Sequence, residues 1–154
     1  MKPAAFSHYA PSRVEDALAL LAEHGSDAKL LAGGQSLVPA MNFRLGRFAV
    51  LVDLNKIPEL AYIRDDGARV RMGAMTRQRD IETSAIVRDK VPLLLQATQR
   101  VSHLPIRTRG TVGGSCAHAD PASEYPAVML ALEATFTIRG PAGARQVPAA
   151  EFFR

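Results

Sequence analysis

Apolar residues recur at helical spacing near the start of the chain and predict its first helix. These positions are Val14, Ala17, Leu18 and Leu21. Residues spaced three and four apart fall on one face of a helix, so the set is typical of an amphipathic helix. Ser12 and Glu15 have the spacing of a capping box at its start, and Gly25 suits its end.

Two short apolar runs predict buried strands. Residues 28–32 are too few for a helix and run into a pair of glycines, which predicts a strand followed by a tight turn. Residues 50–54 form the second predicted strand. Between the two strands, residues 36–43 predict a short helix with Pro39 in its first turn.

The hydrophobic pattern changes after residues 55–58, which interrupt the second strand. Residues 62–74 alternate apolar and polar side chains around a turn and predict a β-hairpin. Residues 134–147 predict a second hairpin of the same kind. We therefore expect two lobes, the first comprising residues 1–56 and the second residues 57–154.

Three helices are predicted within the second lobe. The first covers residues 77–83 with Thr76 as its cap, the second residues 92–101, and the third residues 123–133. Residues 103–120 are polar and show little helical period, which predicts a turn-rich segment. The mixture of β-α-β units and hairpins predicts the α+β class.

The composition is that of an ordinary globular protein, with 47% hydrophobic and 22% charged residues in 154 positions. This balance excludes a disordered chain. No apolar run reaches the roughly 18–20 residues of a membrane span, and the start of the chain lacks a signal-peptide pattern, so we expect a cytoplasmic protein. Cys116 is the only cysteine, which excludes a disulfide within the chain.

The net charge of +4 gives little support for nucleic-acid binding. The basic residues are spread along the chain, whereas a nucleic-acid binder concentrates them. One acid-free stretch contains Arg100, Arg107 and Arg109, and no aromatic residue lies between them. We therefore expect no nucleic-acid partner.

Two glycine pairs are the strongest candidates for chemistry. Loop 1, residues 32–37, reads Ala-Gly-Gly-Gln-Ser-Leu, and loop 2, residues 111–115, reads Thr-Val-Gly-Gly-Ser. Glycine lets the backbone approach an anion closely and aim its amides at it. Either loop alone is more simply a tight turn. Together, one in each predicted lobe, they suit a ligand whose pyrophosphate lies between the lobes, although neither matches a Walker or Rossmann motif.

The residues after loop 2 offer a weaker case for chemistry. Cys116, His118 and Asp120 share a face only in an extended strand, which Pro121 and the preceding glycines disfavour, so we expect no metal site and no reactive thiol. Cys116 is interpreted as a small buried residue. Asp120 and Glu124 are equally well explained as helix-start residues or as acceptors for a sugar hydroxyl.

Taken together, these motifs resemble one family. Residues 32–37, 53–60, 73–76, 111–115 and 119–124 are similar, in order and spacing, to the FAD-binding medium subunit of molybdenum hydroxylases of the carbon monoxide dehydrogenase and xanthine dehydrogenase type. The resemblance implies a two-lobed p-cresol methylhydroxylase-type fold that holds an extended FAD between its lobes. The chain is about half as long as the usual subunit, so we expect it to end before the family's C-terminal domain.

The resemblance also implies the residues that bind FAD. The segment before and within loop 1 would hold the pyrophosphate and adenosine side, and loop 2 the other side of the diphosphate and the ribityl chain. Glu124 stands where the family usually has Asp. The implied residues are Leu30, Leu31, Ala32, Gly33, Gly34, Gln35, Ser36, Leu37, Val101, Thr111, Val112, Gly113, Gly114, Ser115 and Glu124.

The function implied by the resemblance is that of an oxidoreductase subunit. Electrons would pass from a molybdenum cofactor in a large subunit, through [2Fe-2S] clusters in a small subunit, to FAD here and then to an acceptor. No side chain is expected to act as a catalytic acid or base; we expect the backbone amides of both loops to contribute most to diphosphate binding. The alternative is a truncated, non-catalytic assembly module of the same fold without flavin.

Overall fold

The N-terminal part of the chain is a parallel sheet covered by a helix. The computed structural model describes residues 1–153. Strands β1 (Ser7–Tyr9), β2 (Ala28–Leu31) and β3 (Val50–Asp53) form the sheet in the order β1-β3-β2, with both pairs parallel. Helix α1 (Val14–His24) packs against β2 and β3. The two predicted strands are therefore confirmed, and β1 is an additional one.

Buried aliphatic side chains hold this part together. Val14 and Ala17 of α1 pack onto the sheet, where Val52 has no exposed surface. Ile57 belongs to the same cluster, although it follows the predicted boundary between the lobes. The first packing unit therefore includes residues on both sides of that boundary, and the division at residues 56 and 57 stays a prediction.

The start of α1 differs from the capping prediction. Arg13, not Ser12, occupies the N-cap position, and no side chain of the cap accepts a hydrogen bond there. Instead Glu59 Oε1 accepts a hydrogen bond of 3.4 Å from the amide of Val14. A carboxylate distant in sequence thus satisfies one of the free amides at the helix start. Gly25 ends the helix as predicted, with φ of 52°.

Two antiparallel hairpins occupy the positions expected from the alternating pattern. Strands β4 (Ile63–Asp65) and β5 (Val70–Met72) form the first. Strands β6 (Thr135–Gly140) and β7 (Gly143–Pro148) form the second. Both predictions are confirmed.

Helices form most of the remaining chain. Helix α2 (Leu37–Asn42) lies between β2 and β3. The helices after β5 are α3 (Gln78–Thr83), α4 (Ala85–Lys90), α5 (Pro92–Arg100), α6 (Leu104–Arg109), α7 (Val112–His118), α8 (Glu124–Ala131) and α9 (Ala149–Phe152). Their apolar faces form a second core around Ile81, Leu94 and Tyr125. Among the described residues, no helix is both long enough and apolar enough to cross a membrane.

The prediction of a turn-rich segment at residues 103–120 was wrong, because α6 and α7 lie there. Glycine is a poor helix former, and two glycines occur in the first turn of α7. Thr111 compensates by accepting a hydrogen bond from the amide of Gly114. Gly113 is also required by packing, since a Cβ built there would lie 2.6 Å from the carbonyl oxygen of Ala74.

Thr76 is not the cap of α3. Arg77 holds that position, and the Thr76 hydroxyl donates to the carbonyl oxygen of Tyr62 at 2.7 Å. Thr76 is 2% exposed, so this bond satisfies a buried hydroxyl. The side chain therefore joins α3 to the first hairpin instead of beginning the helix.

Candidate functional site

Loop 1 presents a run of backbone amides that have no acceptor among residues 1–153. It connects β2 to α2, and Gly34 adopts φ of 74°, a conformation that favours glycine. The amides of Gly33, Gly34, Gln35 and Ser36 donate to no group in the described part of the chain. The Gln35 side chain donates to the carbonyl oxygen of Gly33 at 3.0 Å and braces the turn. Successive amides without an acceptor of their own are typical of anion-binding loops.

Loop 2 is different, because its amides are used inside the protein. The amide of Val112 donates to the Thr76 carbonyl at 3.0 Å, and that of Gly113 to the Ala74 carbonyl at 2.9 Å. The amide of Gly114 donates to the Thr111 hydroxyl at 3.1 Å. These three amides therefore have acceptors within the protein, whereas those of Gly33–Ser36 do not, and diphosphate binding by loop 2 stays a prediction.

Loop 1 lies against loop 2 and against the two residues that precede loop 2. A Cβ built on Gly33 would lie 2.4 Å from the carbonyl oxygen of Arg109 and 2.8 Å from the Cα of Gly110. A Cβ on Gly114 would lie 3.4 Å from the Cβ of Ala32. Real Cβ atoms do not approach other atoms to 2.4 Å, so glycine at position 33 is required by the contact itself. Two segments almost 80 residues apart thus form one surface.

A depression of about 280 Å³ opens beside loop 1. Its walls come from loop 1, the neighbouring strand and helix, and one arginine. The lining residues are Leu31, Ala32, Gly33, Gly34, Gln35, Val38, Pro39 and Arg109. Five of the residues predicted to bind FAD, Leu31 to Gln35, therefore line one cavity.

The other predicted residues do not line this depression. Leu30 lies in β2, and Ser36 and Leu37 are the end of loop 1 at the start of α2. Val101, Thr111 and Val112 are at least 90% buried and pack within the protein. Gly113, Gly114 and Ser115 are partly exposed at the start of α7, and Glu124 is partly exposed at the start of α8. Their contact with a ligand stays a prediction.

Two arginines place positive charge at the depression. Arg109 lines it, and the guanidinium of Arg77 donates to the carbonyl oxygen of Arg109. Within residues 1–153, neither guanidinium forms an ion pair with a carboxylate. Burial, and after it the nearby charge of Arg109, lowers the pKa of Arg77. An anion bound here would relieve the repulsion between these like charges.

Sequence reasoning missed the proximity of these arginines. In the sequence, Arg109 is one residue of an acid-free basic stretch, and Arg77 lies in no recognisable motif. Arg77 is 32 positions from Arg109, and no motif spacing links them. The fold brings the two segments side by side, with an isolated β-bridge between Arg77 and Thr111.

The Ser115 hydroxyl is prepared to donate. Gln78 is 2% exposed, and its Nε2 donates to Ser115 Oγ at 3.0 Å. Because Ser115 Oγ accepts this bond, its own proton is free for another acceptor. Gln78 Oε1 has no partner among the described residues. In the opposite amide orientation both Nε2 protons would lack an acceptor among the described residues, whereas the orientation given satisfies one of them.

Cys116 is buried within the second core, as the sequence interpretation expected. Its exposed fraction is 2%, and burial raises its pKa to about 12. The thiol is therefore protonated near neutral pH and is a poor nucleophile. Among the described residues, no three His, Cys, Asp or Glu side chains are grouped so that they could bind a metal ion.

Comparison with known proteins decides the family. Residues 4–154 match the model of the FAD binding domain in molybdopterin dehydrogenase. The chain belongs to this family. The expected FAD-binding family and its cofactor are thereby confirmed.

Individual relatives agree with this assignment. The carbon monoxide dehydrogenase medium chain of Hydrogenophaga pseudoflava is 47% identical over 153 residues, covering 99% of this chain and 53% of the relative. The 6-hydroxypseudooxynicotine dehydrogenase complex subunit alpha of Paenarthrobacter nicotinovorans is 47% identical over 151 residues, covering 98% of this chain and 51% of the relative. The chain therefore spans about half the length of the curated relatives it matches.

A solved structure confirms the predicted fold class. Carbon monoxide dehydrogenase from Hydrogenophaga pseudoflava, in a form that lacks the Mo-pyranopterin moiety of its cofactor, superimposes with a TM-score of 0.98 at 47% identity. The match covers 100% of this chain and 54% of that one. The α+β FAD-binding fold predicted from the sequence is thus the fold observed.

Proposed function

We propose that this chain forms the FAD-binding part of an electron-transfer subunit in a molybdenum-containing hydroxylase or dehydrogenase. The observation that supports this most directly is the row of amides at Gly33–Ser36 that have no acceptor among residues 1–153, beside a depression that Arg109 also lines. Amide donors and a planar cation suit the oxygens of a diphosphate. When bound, FAD supplies the redox chemistry, taking electrons from an iron–sulfur partner and delivering them to an acceptor.

The residues of the chain have separate tasks in this proposal. The loop 1 amides bind diphosphate oxygens, and Arg109 offsets their negative charge. The Ser115 hydroxyl accepts a hydrogen bond from Gln78 and donates its own proton to the ligand from loop 2. The remaining predicted FAD-binding residues are proposed to shape the surface against which the adenosine and ribityl parts lie. No side chain transfers a proton.

The proposed partners follow from the names of the relatives. Medium chains of carbon monoxide dehydrogenase imply a larger and a smaller companion chain. We assign the molybdenum cofactor to the large subunit and the [2Fe-2S] clusters to the small one. A cytoplasmic location is part of the same proposal.

Competition among ligands tests whether loop 1 binds the diphosphate of FAD. Flavin fluorescence is followed while FAD is titrated into flavin-free protein, and ADP, adenosine and riboflavin are then added separately. We expect ADP to displace FAD at far lower concentration than adenosine or riboflavin, because only ADP carries the diphosphate. Riboflavin competing as well as ADP would contradict the assignment of loop 1 to the diphosphate. Failure of the protein to bind FAD would instead favour the flavin-free assembly module.

A further inference from the structure

Asn55 belongs to the motif at residues 53–60, which the proposed function leaves unexplained. It lies directly after β3, in a short helical turn. Its Nδ2 donates to the carbonyl oxygen of Ala32 at 3.0 Å and to Asp53 Oδ1 at 2.5 Å. Its Oδ1 accepts from the Arg77 guanidinium at 2.5 Å. The two acceptor oxygens, of Ala32 and Asp53, lie beside Asn55 Nδ2, and the Arg77 donor lies beside Asn55 Oδ1. These contacts fix the orientation of the Asn55 amide.

Arg77 continues the connection to the other loop. Its second terminal nitrogen donates to the carbonyl oxygen of Arg109, which is the atom that lies over Gly33. The contacts therefore close a ring from Ala32 through Asn55, Arg77 and Arg109 back to Gly33. A planar guanidinium suits this place because it holds two acceptors in fixed directions.

We propose that Asn55 and Arg77 form a bridge that sets the position of loop 1 against Arg109 and so prepares the site for FAD. This inference rests on the proposed function. Asn55 and Arg77 are positioning residues, since each acts through the backbone of Ala32 or Arg109. A loop already held in its binding conformation loses less entropy when the ligand binds, and the affinity is higher for that reason.

The hydrogen-bond acceptors of Arg77 are uncharged. Arg77 donates to an amide oxygen and a peptide carbonyl, neither of which carries a formal charge. Asp53 reaches the bridge through Asn55 and is itself held by His8 at 3.2 Å. The bridge therefore contributes both geometry and positive charge, and a test must separate the two.

Substitutions that conserve charge distinguish the geometric contribution of the bridge from its electrostatic contribution. Arg77→Lys keeps the charge, but a single ammonium group cannot reproduce the two directed donors of the guanidinium. Asn55→Ala leaves the net charge unchanged and removes the link to Ala32. Arg88→Lys is the matched control, because Arg88 is exposed and, within residues 1–153, donates only to its neighbour Asp89.

Two measurements are made on each variant of the full chain. FAD affinity is measured by titration, and backbone order parameters of Gly33–Ser36 are measured by NMR on the flavin-free protein. We expect Arg77→Lys and Asn55→Ala each to weaken FAD binding about tenfold, in line with the loss of a hydrogen bond to a charged group. We expect the order parameters to fall from about 0.85 towards 0.6. The double variant should be little worse than either single one, because both break the same bridge.

The outcomes distinguish the bridge from the proposed function. Unchanged affinity in folded Arg77→Lys protein, or weakened affinity with unchanged order in loop 1, would overturn the bridge. If the wild-type chain binds no FAD, the proposed function fails, while the order parameters still decide whether the bridge holds loop 1. Should Arg77→Lys fail to fold by circular dichroism, Asn55→Ala gives the same two measurements.

Discussion

Substitution of Gly33 by alanine is the sharpest perturbation of the contact between the loops. The new Cβ would lie 2.4 Å from the Arg109 carbonyl oxygen, whereas ordinary contact begins at 3.4 Å. The two backbone segments must therefore separate by about 1 Å, the difference between these distances, because neither colliding atom belongs to a flexible side chain. Gly33 has no positive φ, so this clash, not backbone strain, accounts for the expected effect.

The cost of this separation can be estimated. Overpacking of a well-packed site costs about 1–3 kcal/mol. For a chain of this size, 1 kcal/mol lowers Tm by about 2–4 °C, so we expect a decrease of about 2–12 °C. The separation also displaces the free amides from Arg109, and we expect FAD affinity to fall about tenfold or more, as for loss of one charge-assisted hydrogen bond.

Thermal unfolding and FAD titration together check this prediction. Gly140→Ala is the matched control, because a Cβ at Gly140 meets no atom within 4 Å and its φ is not positive. That variant should match the wild type in both measurements. Wild-type Tm and wild-type affinity in Gly33→Ala would refute the close approach of the loops.

Three further predictions concern loop 1, an ion pair and the buried thiol. Gly34→Ala and Gly67→Ala both place alanine at positive φ, 74° and 81°, so both should be destabilised, but titration should show weakened FAD binding only for Gly34→Ala. Hydrogen bonds from Arg107, and then from Arg79, lower the pKa of Glu82 below its usual 4.5. The ionised carboxylate therefore stabilises the fold above that pH, and the contribution is lost as the pH falls through the lowered pKa. Chemical denaturation across acid pH should show Glu82→Gln less stable than the wild type by about 1 kcal/mol at neutral pH, with the difference shrinking in acid. Because its pKa is about 12, Cys116 should react with iodoacetamide at about pH 8 only after unfolding, as followed by mass spectrometry; rapid labelling of native protein would contradict its burial.

The strands and hairpins could be predicted because their signals are local. The apolar runs at 28–32 and 50–54 are too short for helices and end at turn-forming residues. The hairpins at 62–74 and 134–147 alternate in hydrophobicity around obvious turns. In each case a few neighbouring residues determine the element, and the structure agrees.

Predictions failed where a distant partner decides the outcome. Ser12 and Thr76 look like helix caps, but Glu59 reaches the start of α1, and the Thr76 hydroxyl bonds to Tyr62. Helix α7 begins with glycines and would not be predicted from propensity, yet it forms because it packs closely against Ala74. Tertiary contacts override local preference at these places.

The candidate site was only partly predictable for the same reason. The glycine pairs indicate both loops, but the sequence does not show which backbone amides already donate hydrogen bonds within the protein. It also gives no spacing that would link Asn55, Arg77 and Arg109. These residues meet only because the fold brings the end of β3, the start of α3 and the end of α6 together.

The most direct test of the central claim is an amide spectrum of the chain titrated with FAD. At saturation, we predict large shifts for the amide signals of Gly33, Gly34, Gln35 and Ser36, since these donors gain acceptors. The amides of residues 112–114 should shift much less, because they already donate to Thr76, Ala74 and Thr111. Saturation with FAD that leaves the four loop 1 signals unchanged would contradict the account.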